Sequence, residues 1–286
     1  MHDYLLSILL GLIEGLTEFL PVSSTAHLRI AEALLGVDLQ SGYWKMYSIV
    51  IQLGAILALT AFFWRRILKF LATFPRGESG ERNFLTHPLS LVLLAFVVTA
   101  VPAFLLSKLI GKNLENLYVM AGALLVGGII MWVVDAVFVR PRIERMAQTS
   151  LPIALWIGAV QTLSAIFPGT SRSMCTIAAG QVAGMSREAA LEFSFFLSIP
   201  TMFAATGYDL LKTLKPHPAT DGIAPLVMTS HLWVVLAIGF VVAFVFALGV
   251  VAWFLRWVRR HGFAPFAIYR IVLGLALLAA LWSHAL

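Results

Sequence analysis

The chain has 286 residues, 60% of them hydrophobic and only 12% charged, with a formal net charge of +6 and a mean hydropathy of +0.91. A soluble domain carries about 25% charged residues, so this composition excludes one and reads as an all-α polytopic membrane protein. The basic excess does not imply nucleic acid, because Lys and Arg flank membrane spans on the cytoplasmic side, and the single cysteine, Cys175, excludes an intrachain disulfide.

The N-terminal run MHDYLLSILLGLIEG lacks a basic n-region and is interrupted by Glu14, so it reads as part of the fold and not as a cleavable leader. Leu5–Leu20 and Thr25–Leu35 flank the polar tip Pro21-Val22-Ser23-Ser24. A helix of about 11 residues reaches about 16 Å, half of a 30 Å hydrocarbon core, so this pair is expected to form a re-entrant hairpin. Three full spans follow, Met46–Trp64, Pro88–Leu106 and Leu117–Val139. A second hairpin is expected from Ile153–Phe167 and Ser173–Ala183 around the tip Pro168-Gly169-Thr170-Ser171-Arg172. Three more spans, Glu192–Leu211, Leu232–Phe254 and Phe266–Trp282, complete a set of six. Irregular backbone at such tips is tolerated in a membrane only inside protein or against a wet cavity.

Arg65, Arg66, Lys69, Arg76 and Arg82 follow the first span, Arg140, Arg142 and Arg145 the third, Arg187 the second hairpin, and Arg256, Arg259 and Arg260 the fifth span. The other loops hold only Lys45, Lys108, Lys112, Lys212 and Lys215. The positive-inside rule places the first group in the cytoplasm, so the first hairpin opens outward and the second inward. Loop 74–87 is then cytoplasmic, and loop 212–231 external with a short surface helix.

The chain also resembles itself. At an offset of 147, Gly11, Leu16, Pro21, Ser24, Ile30 and Ala31 match Gly158, Leu163, Pro168, Ser171, Ile177 and Ala178, and Glu14 falls on Gln161. One hairpin plus three spans is an odd number of crossings, so the second copy is inverted. We expect a single transmembrane domain of two inverted repeats, about 1–146 and 147–286, with the two tips meeting near the midplane.

Glu14 and Glu18 are spaced i,i+4 and share one helical face. Each alone reads as a solvated rim residue; together, beside a hydroxyl tip and within a membrane, they read as functional. Of Ser23, Ser24 and Thr25, one serves as N-cap. His27 lies one turn beyond Ser23 and Ser24 on the same face. At the second tip, Arg172 opens a half-helix whose free N–H groups make an anion site, with Ser171, Ser173 and Thr176 as further donors. Pairing of Arg172 with Glu14 or Glu18 as structural glue is the plain alternative, and both uses are compatible. Phosphate beside two carboxylates exceeds what one arginine offsets, which predicts a divalent cation, Mg²⁺ or Ca²⁺, held by Glu14 and Glu18. Asp135 is expected to pair with Arg140, and Glu192 and Gln52 are read as structural.

Glu14-Gly15-Leu16-Thr17-Glu18-Phe19-Leu20-Pro21 followed by Ser23-Ser24-Thr25-Ala26-His27-Leu28, and Pro168-Gly169-Thr170-Ser171-Arg172-Ser173 through Thr176, resemble the two signatures of the undecaprenyl-diphosphate phosphatases, the bacitracin-resistance family. Ser186 to Ala190, Phe193 to Pro200 and Tyr269-Arg270 extend the resemblance, and Met174-Cys175 departs from the small residues usual there. The resemblance implies an integral enzyme of the bacterial inner membrane that hydrolyses a polyprenyl diphosphate to its monophosphate at a site open to the periplasm, recycles the carrier lipid for wall synthesis and depends on divalent cations. It implies Glu14, Glu18, Ser24, His27 and Arg172 as the chemical residues. In that frame Ser24 is the nucleophile, Glu18 or His27 its base, Glu14 a metal ligand or a guide for Glu18, and Ser23, Ser171, Ser173, Thr176 and Arg172 the substrate cradle. Direct attack by a metal-bound water is the alternative within the class, and a polyprenyl-phosphate transporter or flippase the alternative outside it. Expected partners are the polyprenyl diphosphate and membrane lipid, with no nucleic acid; a homodimer is left open.

Overall fold

The computed structural model describes residues 2–37, 42–78, 80–106, 116–214 and 228–283. Among them are ten α-helices and no strand. The first hairpin is α1 (His2–Thr17) and α2 (Ser24–Leu35), followed by α3 (Gly42–Ala72), α4 (Pro88–Leu105) and α5 (Leu117–Val137). The second is α6 (Leu151–Ile166) and α7 (Arg172–Val182), followed by α8 (Arg187–Leu214), α9 (Ser230–His261) and α10 (Ala264–Trp282). Six of these helices are long and apolar enough to cross a membrane, at the positions the sequence predicts. The protein is an all-α, multi-pass membrane protein. Large apolar side chains such as Phe104, Leu105, Trp132 and Val272 stand exposed on its outer faces, where lipid replaces water as solvent. The expected surface helix in loop 212–231 falls mainly in 215–227, outside the described residues, as do Lys108, Lys112 and Lys215.

Helix ends follow local chemistry. Asn116 and Thr229 cap α5 and α9 through their side chains, and Gly36 closes α2 in the left-handed region at φ 65°. Glycine then sets which helices touch. A Cβ on Gly11 of α1 would lie 2.6 Å from the Gly239 carbonyl of α9, and one on Gly158 of α6 would lie 2.3 Å from the Ala95 carbonyl of α4. Gly11 and Gly158 are the first matched pair of the sequence repeat. Each hairpin thus lays its first arm on the second span of the opposite half. Both hairpins are held between the remaining spans. Phe19, at the first tip, is buried edge-on against Phe195 of α8, which also meets Phe63 of α3 and Phe254 of α9.

The basic segments gather at one end of the bundle. Arg82 donates to the Ala147 carbonyl at 2.5 Å, Arg66 pairs with Glu192, and Arg259 pairs with Glu188. Asp135 corrects an expectation. It bonds Arg187 at 2.6 Å, the Phe263 amide at 3.0 Å and Gln181 at 3.3 Å, and Arg140 is not among its partners. A neighbour five residues on has left the helix, whereas Arg187 is brought in by the turn after α7.

Candidate active site

The two tips share an unusual backbone. Ser23 (φ 74°) and Ser171 (φ 72°) are the only non-glycine residues with positive φ among those described. Such conformations cost about 1–3 kcal/mol each and collect at functional sites. Each serine caps the helix it precedes: Ser23 Oγ accepts from the Ala26 amide at 3.4 Å and Ser171 Oγ from the Met174 amide at 3.3 Å. The structural match is therefore Ser23 with Ser171, one residue off the alignment the sequence suggests, because the second tip carries one extra residue before its cap. Ser24 and Arg172 become equivalent, each the first residue of its half-helix. Each tip delivers one polar side chain from the same place.

Glu18 joins them. Its Oε2 accepts a short hydrogen bond from Ser24 Oγ, and its Oε1 accepts from Arg172 Nη2 at 3.3 Å. Both members of the ion pair are nearly buried, at 8% exposure for Glu18 and 13% for Arg172. Among the described residues Arg172 Nη1 is buried without a partner, and so are both carboxylate oxygens of Glu14 one turn below Glu18. Buried polar groups are almost always bonded, so a donor and two acceptors left open at one place mark a site built for something further.

A cavity of about 170 Å³ opens over this cluster. Glu18, Ser23, Ser24, Ser171 and Arg172 line it, together with Thr25, Gln52 and Ser164. Gln52, read from sequence as structural, faces the cavity from α3; only the packing of α3 against the hairpins reveals that. Glu14 is fully buried behind Glu18. His27 also lies off the cavity: its Nδ1 meets the Ser23 carbonyl at 2.7 Å and its Nε2 the Tyr269 hydroxyl at 2.7 Å. A carbonyl can only accept, so Nδ1 carries the hydrogen and the ring steadies the tip. Glu18, not His27, is the side chain that accepts from the Ser24 hydroxyl. Ser173 and Thr176 are nearly buried, and their hydroxyls are used within the protein. Ser173 donates to the Leu20 carbonyl at 3.0 Å, stitching the tips together, and Thr176 bonds Ser194 Oγ at 2.6 Å.

Arg270, a charge inside an apolar span, belongs to this centre as well. It is fully buried and bonds the carbonyls of Pro21, Gly169 and Ala123 at 3.1, 3.2 and 3.0 Å. An arginine with no carboxylate on its own helix was the available sequence signal. Gly169 is required where it stands: φ is +91°, and a Cβ there would lie 2.8 Å from the Met120 backbone.

For a divalent cation, the donor set present is Glu14, Glu18 and the Ser24 hydroxyl, all oxygen, with two Glu14 oxygens open. Hard oxygen donors of this kind fit Mg²⁺ or Ca²⁺. No group of three His, Cys, Asp or Glu side chains stands together among the described residues, so such an ion would need phosphate oxygens or water to complete its shell.

Comparison with known proteins shows the family of the chain. Undecaprenyl-diphosphatase of Koribacter versatilis is 61% identical over 281 residues, 98% of each chain. Undecaprenyl-diphosphatases of Bradyrhizobium sp. (strain BTAi1) and Caldanaerobacter subterraneus are 41% identical over 281 residues and 40% over 271. The family model described as bacitracin resistance protein BacA matches residues 7–276, nearly the whole chain with both tips, and the chain therefore belongs to that family.

Proposed function

We propose that this chain is an integral membrane phosphatase that hydrolyses undecaprenyl diphosphate to undecaprenyl phosphate and inorganic phosphate. The observation that carries this is Glu18 bridging Ser24 on one tip and Arg172 on the other. A hydroxyl, its base and a guanidinium are thereby set around one small cavity. Family membership and the names of the relatives point the same way.

The chain's own residues account for the chemistry. Arg172 and the free N–H groups opening α7 bind the terminal phosphate. Ser24 Oγ attacks its phosphorus, the bond to the polyprenyl phosphate breaks, and Glu18 takes the hydroxyl proton. Water then attacks the phosphoserine, Glu18 returns its proton to Ser24 as that bond breaks, and the water proton leaves with inorganic phosphate. Arg172 offsets charge on the equatorial oxygens in both steps. In this reading Gln52 and Thr25, which line the cavity, donate to phosphate oxygens or orient the water, while the Ser164 hydroxyl is already given to the Gln161 carbonyl at 2.7 Å. Glu14 and Glu18 would hold a divalent cation, which when bound supplies positive charge against the diphosphate. Arg270 behind the tips reduces the charge deficit inferred from the sequence without removing it, since a diphosphate adds several negative charges.

The site is assigned to the periplasmic side of the bacterial inner membrane. The one-ended basic cluster supports this, taken as cytoplasmic under the positive-inside rule. There the reaction would return carrier lipid for wall synthesis. Phosphate release from a polyprenyl diphosphate by purified protein in detergent, with and without Mg²⁺ or Ca²⁺, tests the reading. An inactive wild type, or an active Arg172→Ala protein, would sink it.

A further inference from the structure

The geometry of Arg270 points to a role in the same reaction, and the inference rests on the phosphatase reading. Its guanidinium has no carboxylate partner among the described residues: Nη1 donates to Pro21, and Nη2 to Gly169 and Ala123. One carbonyl belongs to the first tip, one to the second and one to α5. Tip carbonyls have no helical amide to accept from, so some donor must reach them. A planar fork with fixed, diverging N–H groups serves three such acceptors at once, whereas an ammonium is a point charge. A charge buried without a counter-ion is expensive, and in a membrane span it is a functional candidate by default.

The surroundings are shaped to this side chain. Gly127 of α5 leaves room for it: a Cβ there would fall 2.3 Å from Arg270 Nη2. The neighbouring Tyr269 holds His27, which in turn holds the Ser23 carbonyl. Residues 269 and 270 of α10 thus grip the first tip at two carbonyls, Pro21 and Ser23, and the second tip at Gly169.

We propose that Arg270 is a positioning residue. By holding both tips in one fork, it fixes the offset between Ser24 Oγ and a phosphoryl group bound on Arg172. The fork acts on attack geometry and leaves ground-state binding to Arg172. Misplacement of reacting groups by about 1 Å costs on the order of 100-fold in rate.

The test compares wild type, Arg270→Lys, Gly127→Ala and Gly122→Ala as purified full-length proteins in detergent. Phosphate release from farnesyl diphosphate gives kcat and KM separately. Arg270→Lys keeps the charge and loses the fork; Gly127→Ala keeps Arg270 and displaces the fork. Both are expected to lower kcat on the order of 100-fold, with KM within about threefold of wild type. Gly122→Ala, with nothing within 4 Å of its new Cβ, should match wild type. A lysine variant with kcat within about threefold of wild type overturns the proposal, since charge alone would then suffice. So does a Gly127→Ala protein whose KM rises as far as its kcat falls. If Arg270→Lys does not fold, Gly127→Ala decides alone, and normal kcat there overturns the inference. A wild type that releases no phosphate defeats the phosphatase reading first and this inference with it; an active wild type isolates the failure to Arg270.

Discussion

Glu18→Gln is the most informative single change, because it removes a charge and a base while keeping shape. In the wild type Glu18 accepts from Ser24 and from Arg172, and the ion pair is nearly buried. Gln keeps an oxygen for one of these contacts and cannot take a proton. General base catalysis by a positioned carboxylate contributes about 10²–10⁴-fold, or about 3–5 kcal/mol of barrier. Stability should respond less. Stripping one partner from a buried pair costs about 3–5 kcal/mol when the other charge is stranded. Arg172 is not stranded here, since Glu14 lies one turn below Glu18 with both oxygens open. The expected result is kcat lowered by about 10²–10⁴-fold with a thermal midpoint loss smaller than a stranded guanidinium would give. Phosphate release in detergent gives the first quantity, and thermal unfolding of the same preparation the second. A Glu18→Gln protein with kcat within about threefold of wild type would refute the reasoning, for the base would lie elsewhere.

Ser24→Ala should abolish the covalent route and any acid-stable phosphoserine trapped during turnover; near-normal turnover in that variant would instead support direct attack by water. Chelation should remove activity, with Mg²⁺ or Ca²⁺ restoring it in wild type and restoring it less in Glu14→Gln; unchanged turnover in excess chelator would contradict the cation assignment. Gly158→Ala should cost about 1–3 kcal/mol or more, because its Cβ meets the Ala95 backbone at 2.3 Å, while Gly207→Ala, in open space, should leave the thermal midpoint in place. His87 carries a pH dependence. Its Nδ1 accepts from the Leu89 amide at 3.2 Å and caps α4, and burial, with Arg82 nearby, holds its pKa below the ordinary histidine value. The folded state thus prefers neutral His87, and its contribution is full above the unfolded pKa of about 6.5 and lost as pH falls through the lower folded value. His87→Asn, which can still cap, should flatten the fall in thermal midpoint below about pH 6; an unchanged pH profile would reject this.

The amino-acid sequence by itself determined the elements. Apolar length marks a span, and proline with hydroxyl residues marks a break, so six spans and two hairpins could be placed before any packing was known. The same local logic singled out Glu18 and Arg172 as charges in apolar surroundings and Ser24 as a hydroxyl at a proline break. What the tertiary structure decided is which groups meet. The tips differ by one residue, so Ser24 pairs in position with Arg172 and not Ser171, a shift no weak repeat could reveal. His27 turns to the Ser23 carbonyl and Tyr269, leaving Glu18 as the acceptor at the Ser24 hydroxyl. Gln52 reaches the cavity and Arg270 clasps both tips from elements far along the chain. Helix formation is written in neighbours three and four residues apart, whereas convergence at a site depends on the close approach of whole helices, set here by glycines such as Gly11, Gly127 and Gly158.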